Sequence, residues 1–243
     1  MKNRHMMPAL LSLGLLAFAC GPAEQAEEYE PEEPAVQAAE AGGAVAVTQM
    51  YPNAPAPTVL ETDMAVVQTL ALEPGVWAGE HGHAGNQVTV ILTAGTLSYR
   101  QNGVETDSVF EAGDVRWIGE IESHDHAAKD TQGTAVLVTL KNTGGGMAAA
   151  QTYPELEAGV VLENEHVIVQ RITGMANDWT GEHSHPGGQI SVVLSGGTMT
   201  YREGGEETQV TYEDGAVFTV EATDAHDHMA DMAIDAIIIT PKK

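Results

Sequence analysis

Short apolar runs alternate with turn signals along most of this chain. Val88-Thr89-Val90-Ile91-Leu92 and Ile190-Ser191-Val192-Val193-Leu194 are rich in β-branched residues, and 134–140 and 236–240 read as short buried strands of the same kind. Asn102-Gly103, Gly204-Gly205, Ala112-Gly113-Asp114 and Asp214-Gly215 fall between such runs as turns. No segment carries the period of a long amphipathic helix. Several short strands at this spacing predict an all-β sandwich or barrel.

The pattern occurs twice, at a constant offset of 102 positions. Gln49, Tyr51 and Pro52 recur as Gln151, Tyr153 and Pro154, and Val59-Leu60-Glu61 recurs as Val161-Leu162-Glu163. Trp77, Gly79 and Glu80 recur as Trp179, Gly181 and Glu182, Tyr99-Arg100 as Tyr201-Arg202, and Gly113 as Gly215. A duplication that keeps its register predicts two folded units with one backbone, 46–142 and 143–243. The stretch Thr143-Gly144-Gly145-Gly146 opens the link between them.

Eight of the ten histidines belong to this repeat. His81-Gly82-His83, Gln87 and His124-Asp125-His126 return as His183-Ser184-His185, Gln189 and His226-Asp227-His228. Strand side chains alternate faces, so His81 and His83 point one way, as do His124 and His126. Neutral imidazole suits Zn, Cu, Fe and Ni. One His-x-His is open to a packed-core explanation; two, each with a distant His-Asp-His, predict two metal sites. His124 and His226 are the third ligands by spacing. His126 and His228 are candidates for a fourth ligand, a catalytic proton shuttle or packing near the barrel mouth. Gln87 and Gln189 are either amide ligands or hydrogen-bonding supports. By parity, Glu80, Glu182, Asp125 and Asp227 face away, the aspartates being solvated or paired with lysine. Trp77 and Trp179 share the histidines' parity and are candidate pocket walls, with barrel packing as the alternative. His166, matched by Met64, is expected to be exposed.

These spacings resemble the cupin superfamily, whose first motif runs Gly, five residues, His-x-His, three or four residues, Glu, six residues, Gly. Gly75, His81, His83 and Gln87 follow it, with Gly95 one position late, as do His183, His185, Gln189 and Gly196, with Asn177 in the first glycine's place. The second motif's histidine, eleven residues after a glycine, is matched by Gly113 to His124 and by Gly215 to His226. The resemblance covers about 49 to 242 and implies a bicupin: two tandem double-stranded β-helix (jelly-roll) barrels. Three features depart from it. Glutamine replaces the ligand glutamate in both units; Gly119 and Ile121, or Glu221 and Thr223, stand where motif two has Pro and Gly; and Ala128 or Ala230 replaces the late asparagine. The resemblance further implies a divalent transition metal (Fe, Mn, Ni, Cu or Zn), up to two per chain, and a quercetin-dioxygenase-like metal-dependent dioxygenase. Other readings are an isomerase or lyase, or a binding protein that holds metal or a small ligand without catalysis. Three imidazoles and an amide leave a divalent charge uncompensated, which favours an anionic small-molecule substrate.

Charge narrows the partners. The formal net charge of -25, from 10 Lys and Arg against 35 Asp and Glu, excludes a nucleic-acid partner. Lys2 and Arg4 precede an apolar run, 8–19, that is too short to span a bilayer and ends at the single cysteine, Cys20. This resembles a bacterial lipoprotein signal, 1–20, with Cys20 lipidated; an ordinary secretory signal is the alternative. The Glu-, Pro- and Ala-rich stretch 21–45 is expected to be a disordered tether. The resemblance implies an exported outer-membrane lipoprotein, facing the periplasm or the cell surface. With one cysteine the folded part has no internal disulfide. Oligomer formation stays open.

Overall fold

The computed structural model describes residues 48–141, 144 and 146–242. The expected signal peptide 1–20, its lipidation site Cys20 and the expected tether 21–45 therefore all lie outside the described residues. Among the described residues there are fourteen strands and no helix. The first seven are β1 (Thr58–Glu61), β2 (Ala65–Leu72), β3 (His81–Ile91), β4 (Gly95–Gln101), β5 (Val104–Phe110), β6 (Val115–Ala128) and β7 (Gly133–Leu140). The second seven are β8 (Glu157–Glu163), β9 (Val167–Gly174), β10 (His183–Ser195), β11 (Gly197–Glu203), β12 (Glu206–Tyr212), β13 (Val217–Ala230) and β14 (Ile234–Pro241).

Each set forms one sheet. The orders are β1-β2-β7-β3-β6-β4-β5 and β8-β9-β14-β10-β13-β11-β12, so every strand has its counterpart in the same place. The duplication read in the sequence is thus a duplication of topology. Both Asn102-Gly103 and Gly204-Gly205 connect their hairpins with two residues at positive φ (51 and 76°, 58 and 88°), as a twisted two-residue turn requires.

The expected strand 88–92 is only the end of β3. Its valines explain why it is so apolar. Val88 and Val90, with Val67, Val136 and Val138, share one buried cluster with Ile190, Val192, Ile237 and Ile239 from the other sheet. The sheets therefore meet across a common core, and both lie in one compact unit. Each such Val or Ile contributes about 1.5–3 kcal/mol of burial. The alternate residues of β3, Thr89 and Ile91, turn inward to their own barrel. His166 stacks on Trp117 across this junction (ring centroids 5.2 Å, 8°) and is mostly covered, contrary to the expected exposure.

The segment lacking the motif's Pro and Gly is not a loop. β6 and β13 run unbroken through it, pairing Ile121 with His83 and Thr223 with His185.

Candidate metal centres

Strand pairing brings the distant histidines together. His81 lies opposite His124 across β3 and β6, and His183 opposite His226 across β10 and β13. His81 and His83, like His183 and His185, share a face by strand parity, and a register shift at each pair inserts an extra residue on the partner strand, β6 or β13. In each barrel the three ring nitrogens lie within 4.8 Å of one another.

In the first barrel the Nε2 atom of His124 is 2.9 Å from that of His81 and 3.0 Å from that of His83. His81 Nδ1 donates to the Gly79 carbonyl at 2.6 Å, which leaves a lone pair on its Nε2. His124 Nε2 carries at most one proton, so protons cannot satisfy both contacts. A cation can. Metal–imidazole bonds of about 2.0–2.1 Å at right angles place two nitrogens about this far apart.

The second barrel anchors its rings from behind. His183 Nδ1 donates to the Gly181 carbonyl at 2.7 Å, and His185 Nδ1 to Gln189 Oε1 at 2.9 Å. His226 Nδ1 meets Thr223 Oγ1 at 3.0 Å. Rings held through Nδ1 present Nε2 to the centre, the usual arrangement behind a metal ligand. His183 Nε2 is buried with no partner in the protein.

The glutamines, both expected as candidate ligands, differ. Gln189 is committed elsewhere: its carbonyl holds His185, and its amide donates to Thr240 Oγ1 at 2.9 Å. Both ends of its amide are thus taken by protein partners. Gln87 lies close enough to Tyr51 and His83 to polarise both, but neither of its buried amide atoms meets a partner at full hydrogen-bond geometry. Two orphaned polar atoms at 2 % exposure ask for a ligand to complete them.

A glycine sets each first histidine. Gly79 (φ 91°) and Gly181 (φ 77°) adopt a left-handed backbone, and a Cβ there would fall 2.7 or 2.8 Å from the rings of Pro52 and Pro154. Only glycine turns the carbonyl under the imidazole at that packing distance. Tyr51 and Tyr153 then pack edge-on to His81 and His183 at 4.6 and 4.7 Å. Asp125, expected to be solvated or paired with lysine, instead accepts from the Gly79 and His126 N–H groups at 2.9 and 2.8 Å. Asp227 accepts from Thr180 Oγ1 at 2.9 Å. These supports were visible in the sequence only as members of the constant-offset repeat.

Burial keeps the rings neutral. Loss of solvation, reinforced by neighbouring imidazoles, pulls His83 and His124 down to about 4 and His126 to about 3. His185 at about 4 and His228 at about 3 behave alike, for the same reason. His81 and His183 are also lowered by burial, opposed by their glycine carbonyls. At neutral pH all of these have lone pairs to give. His126 and His228 lie beside the triads, their rings 5.0 Å from those of His81 and His183, with Nδ1 unpartnered.

Each centre opens onto a chamber inside its barrel. The first, about 80 Å³, is walled by Leu70, Leu72, Ile91 and Leu137 and reaches His83, His124 and His126. The second, about 360 Å³, reaches His185, His226 and His228. Part of the difference comes from one strand and the turn after it: Thr89, Ile91, Thr93 and Ala94 become Ser191, Val193, Ser195 and Gly196, each one carbon smaller. Trp77 and Trp179, expected as pocket walls, line neither. The left-handed glycines interrupt the strand between tryptophan and histidine, so parity does not carry across. The two rings lie instead under Arg100 and Arg202, at 3.9 and 3.8 Å.

No family model and no curated protein matches the sequence. Solved structures do. A salicylate 1,2-dioxygenase from Pseudaminobacter salicylatoxidans aligns with TM-score 0.58 at 12% identity, over 79% of this chain and 77% of that one. A cupin 2 conserved barrel domain protein from Leptotrichia buccalis aligns with TM-score 0.53 at 14% identity, over 81% and 92%. AerE from Microcystis aeruginosa aligns with TM-score 0.52 at 13% identity, over 81% and 100%. At these identities the likeness speaks for the fold, and it agrees with the strand order and the paired histidine triads: the chain folds as two tandem cupin barrels.

Proposed function

We propose that each barrel holds one divalent transition metal and that the protein is a metal-dependent dioxygenase acting on a small organic anion. The observation that carries the reading is the triad of neutral imidazoles meeting at the floor of a chamber, with ring nitrogens 2.9 and 3.0 Å apart in the first barrel. His81, His83 and His124 hold the first metal, with Gln87 beside them; His183, His185 and His226 hold the second. When bound, such a metal supplies Lewis-acid polarisation of a substrate oxyanion and, if redox-active, electron transfer toward dioxygen. The protein's own share is placement. Gly79 and Gly181 fix the tautomer of the first histidine, and Gln189 that of His185. His126 and His228 line the chambers with unpartnered Nδ1 atoms and serve as hydrogen-bonding partners of the substrate. Apolar walls in the first chamber keep water from the reacting groups. Among the solved neighbours is a salicylate 1,2-dioxygenase, which supports an oxygenase on this fold. We also propose export and lipid anchoring at Cys20, on the reading of the N-terminus.

A second reading is a metal-binding protein without turnover, favoured by the retention of both triads. Elemental analysis of protein from its native compartment, paired with oxygen uptake on phenolic and keto-acid compounds, separates them. About two metals per chain with substrate-dependent oxygen consumption is expected. Metal without turnover on any compound would leave the binder; protein that takes up no transition metal would end both readings.

A further inference from the structure

The two chambers differ in charge more than in shape. The protein is strongly acidic, yet no Asp or Glu lines the first chamber, whereas Glu203, Glu221 and Asp235 line the second. The first chamber carries a cation, Arg116, where the second has Phe218. Strand parity puts it there: Val115 and Trp117 pack into the common core, so Arg116 and Ile118 turn to the barrel interior.

Arg116 is also unusual in having no acid. Arg100, Lys129, Lys141, Arg171, Arg202 and Lys242 all form ion pairs, which leaves Arg116 as the one lysine or arginine without an ion pair among the described residues. Its guanidinium lies over the Phe110 ring, 5.3 Å from the centroid. A second donor waits beside it. In the second barrel the hydroxyls of Tyr201 and Tyr212 bond each other at 3.0 Å, and Phe218 stacks on Tyr212 at 4.5 Å. In the first barrel Phe110 replaces Tyr212, so the Tyr99 hydroxyl loses that partner and remains unbonded within the chamber. Two replacements thus leave a solvent-exposed guanidinium and a phenol at the chamber without an acid or a hydroxyl partner, the phenol beside His126 with ring centroids 6.1 Å apart. A planar guanidinium with no competing carboxylate is a site for an oxyanion.

We propose that the first chamber is a carboxylate site, in which Arg116 and Tyr99 grip the carboxylate of a small organic acid whose other end reaches the His81–His83–His124 centre, and that the second chamber takes no such anion. The orientation toward the centre rests on the metal-binding reading; the carboxylate grip does not. The space sets the size. One water takes about 10–15 Å³ on this measure, so about 80 Å³ admits an acid of a few heavy atoms. Leu70, Leu72, Ile91 and Leu137 require its body to be apolar.

Calorimetric titration of the full-length protein with acetate, propionate and butyrate, against the matching amides, tests this. The acids are expected to bind at one site per chain, at least about tenfold more tightly than the amides. Arg116→Phe, which installs the other barrel's residue, is expected to abolish that preference. Arg116→Lys should keep part of it, and Tyr99→Phe should weaken acid binding about threefold. Thermal unfolding and metal content of each variant should match the parent. Equal affinity for acids and amides, acid binding unchanged in Arg116→Phe, or no acid binding at all would overturn the proposal. Repeating the titration on metal-free protein keeps the two readings apart. An Arg116-dependent preference that survives in protein unable to load metal would defeat only the metal reading. Absence of the preference in the parent protein with its metal in place would defeat only the carboxylate site.

Discussion

The two barrels hold the same triad in different settings. In the second, every triad histidine is braced through Nδ1, by Gly181, Gln189 and Thr223. In the first only His81 is braced so fully, by Gly79, while His83 Nδ1 and both Gln87 amide atoms stay unpartnered. The first chamber is small, apolar and bordered by a cation without an ion pair; the second is more than four times larger and is lined by Glu203, Glu221 and Asp235, the last paired with Arg171. One backbone and one ligand pattern have been kept, while tautomer control, volume and charge have drifted around them. The site's identity thus lives in the strand pairing and its selectivity in the walls.

The comparison breaks first at the ligands. His83→Ala and His185→Ala are each expected to remove one metal per chain and the double variant both, read by elemental analysis of the purified protein. If the double variant retains its metal, the triads are not the sites. The unbraced first centre should in addition release its metal sooner under a competing chelator.

Acid tests what the barrels share. Histidines held below their ordinary value of about 6.5 favour the neutral form in the fold. Their contribution is complete above that pH and is lost as pH falls toward the native values, about 4 for His83, His124 and His185. Metal-free protein should therefore show a falling Tm from pH 6.5 down to 4 and little change from 6.5 to 8. A flat profile across the acid range would mean that the rings are not desolvated together.

The glutamines sharpen the contrast. Gln189→Leu frees His185 to turn, and supports of this kind are worth about 10–100-fold in metal affinity. Gln87→Leu gives up only imperfect contacts with Tyr51 and His83 and removes two buried polar atoms that lack a well-formed partner. It should leave unfolding stability unchanged or raise it, and lower metal affinity only if the amide itself binds the ion. Competition with a chromophoric chelator, barrel by barrel in single-triad backgrounds, reads both. Equal effects of the two substitutions would erase the proposed difference.

Much of this was legible in the chain. β-Branched runs, turn dipeptides and the constant offset led to an all-β duplicated fold, and the eight histidines fall where spacing placed them. Three things were not. Trp77 is a candidate pocket wall only if parity carries across Gly79, whose left-handed backbone resets it. Asp125 reads as solvated or paired with lysine because a strand rule cannot show that its carboxylate reaches back to the Gly79 N–H. Arg116 went unremarked because its meaning depends on what it lacks, an acid, and on Phe110 having taken a tyrosine's place. Periodicity reports which face a residue occupies; it is blind to which groups there remain unpaired.

The smallest expected effect is at Thr180, fully buried behind His183, where the first barrel has the equally buried Ala78. In the second barrel the hydroxyl is an intermediary, donating to Asp227 at 2.9 Å and accepting from the His228 N–H at 3.2 Å. In the first barrel Asp125 reaches the equivalent N–H directly, at 2.8 Å, with no hydroxyl between. Thr180→Ala has that arrangement open to it, so the cost should be only about 1 kcal/mol in denaturant unfolding. Ala78→Thr has no such relief. Its extra atoms enter a position with no exposed surface, beside an aspartate whose hydrogen bonds are already made, and overpacking of this kind costs about 1–3 kcal/mol. If the two exchanges cost the same, the barrels are interchangeable behind their histidines, and the divergence is confined to the chamber walls.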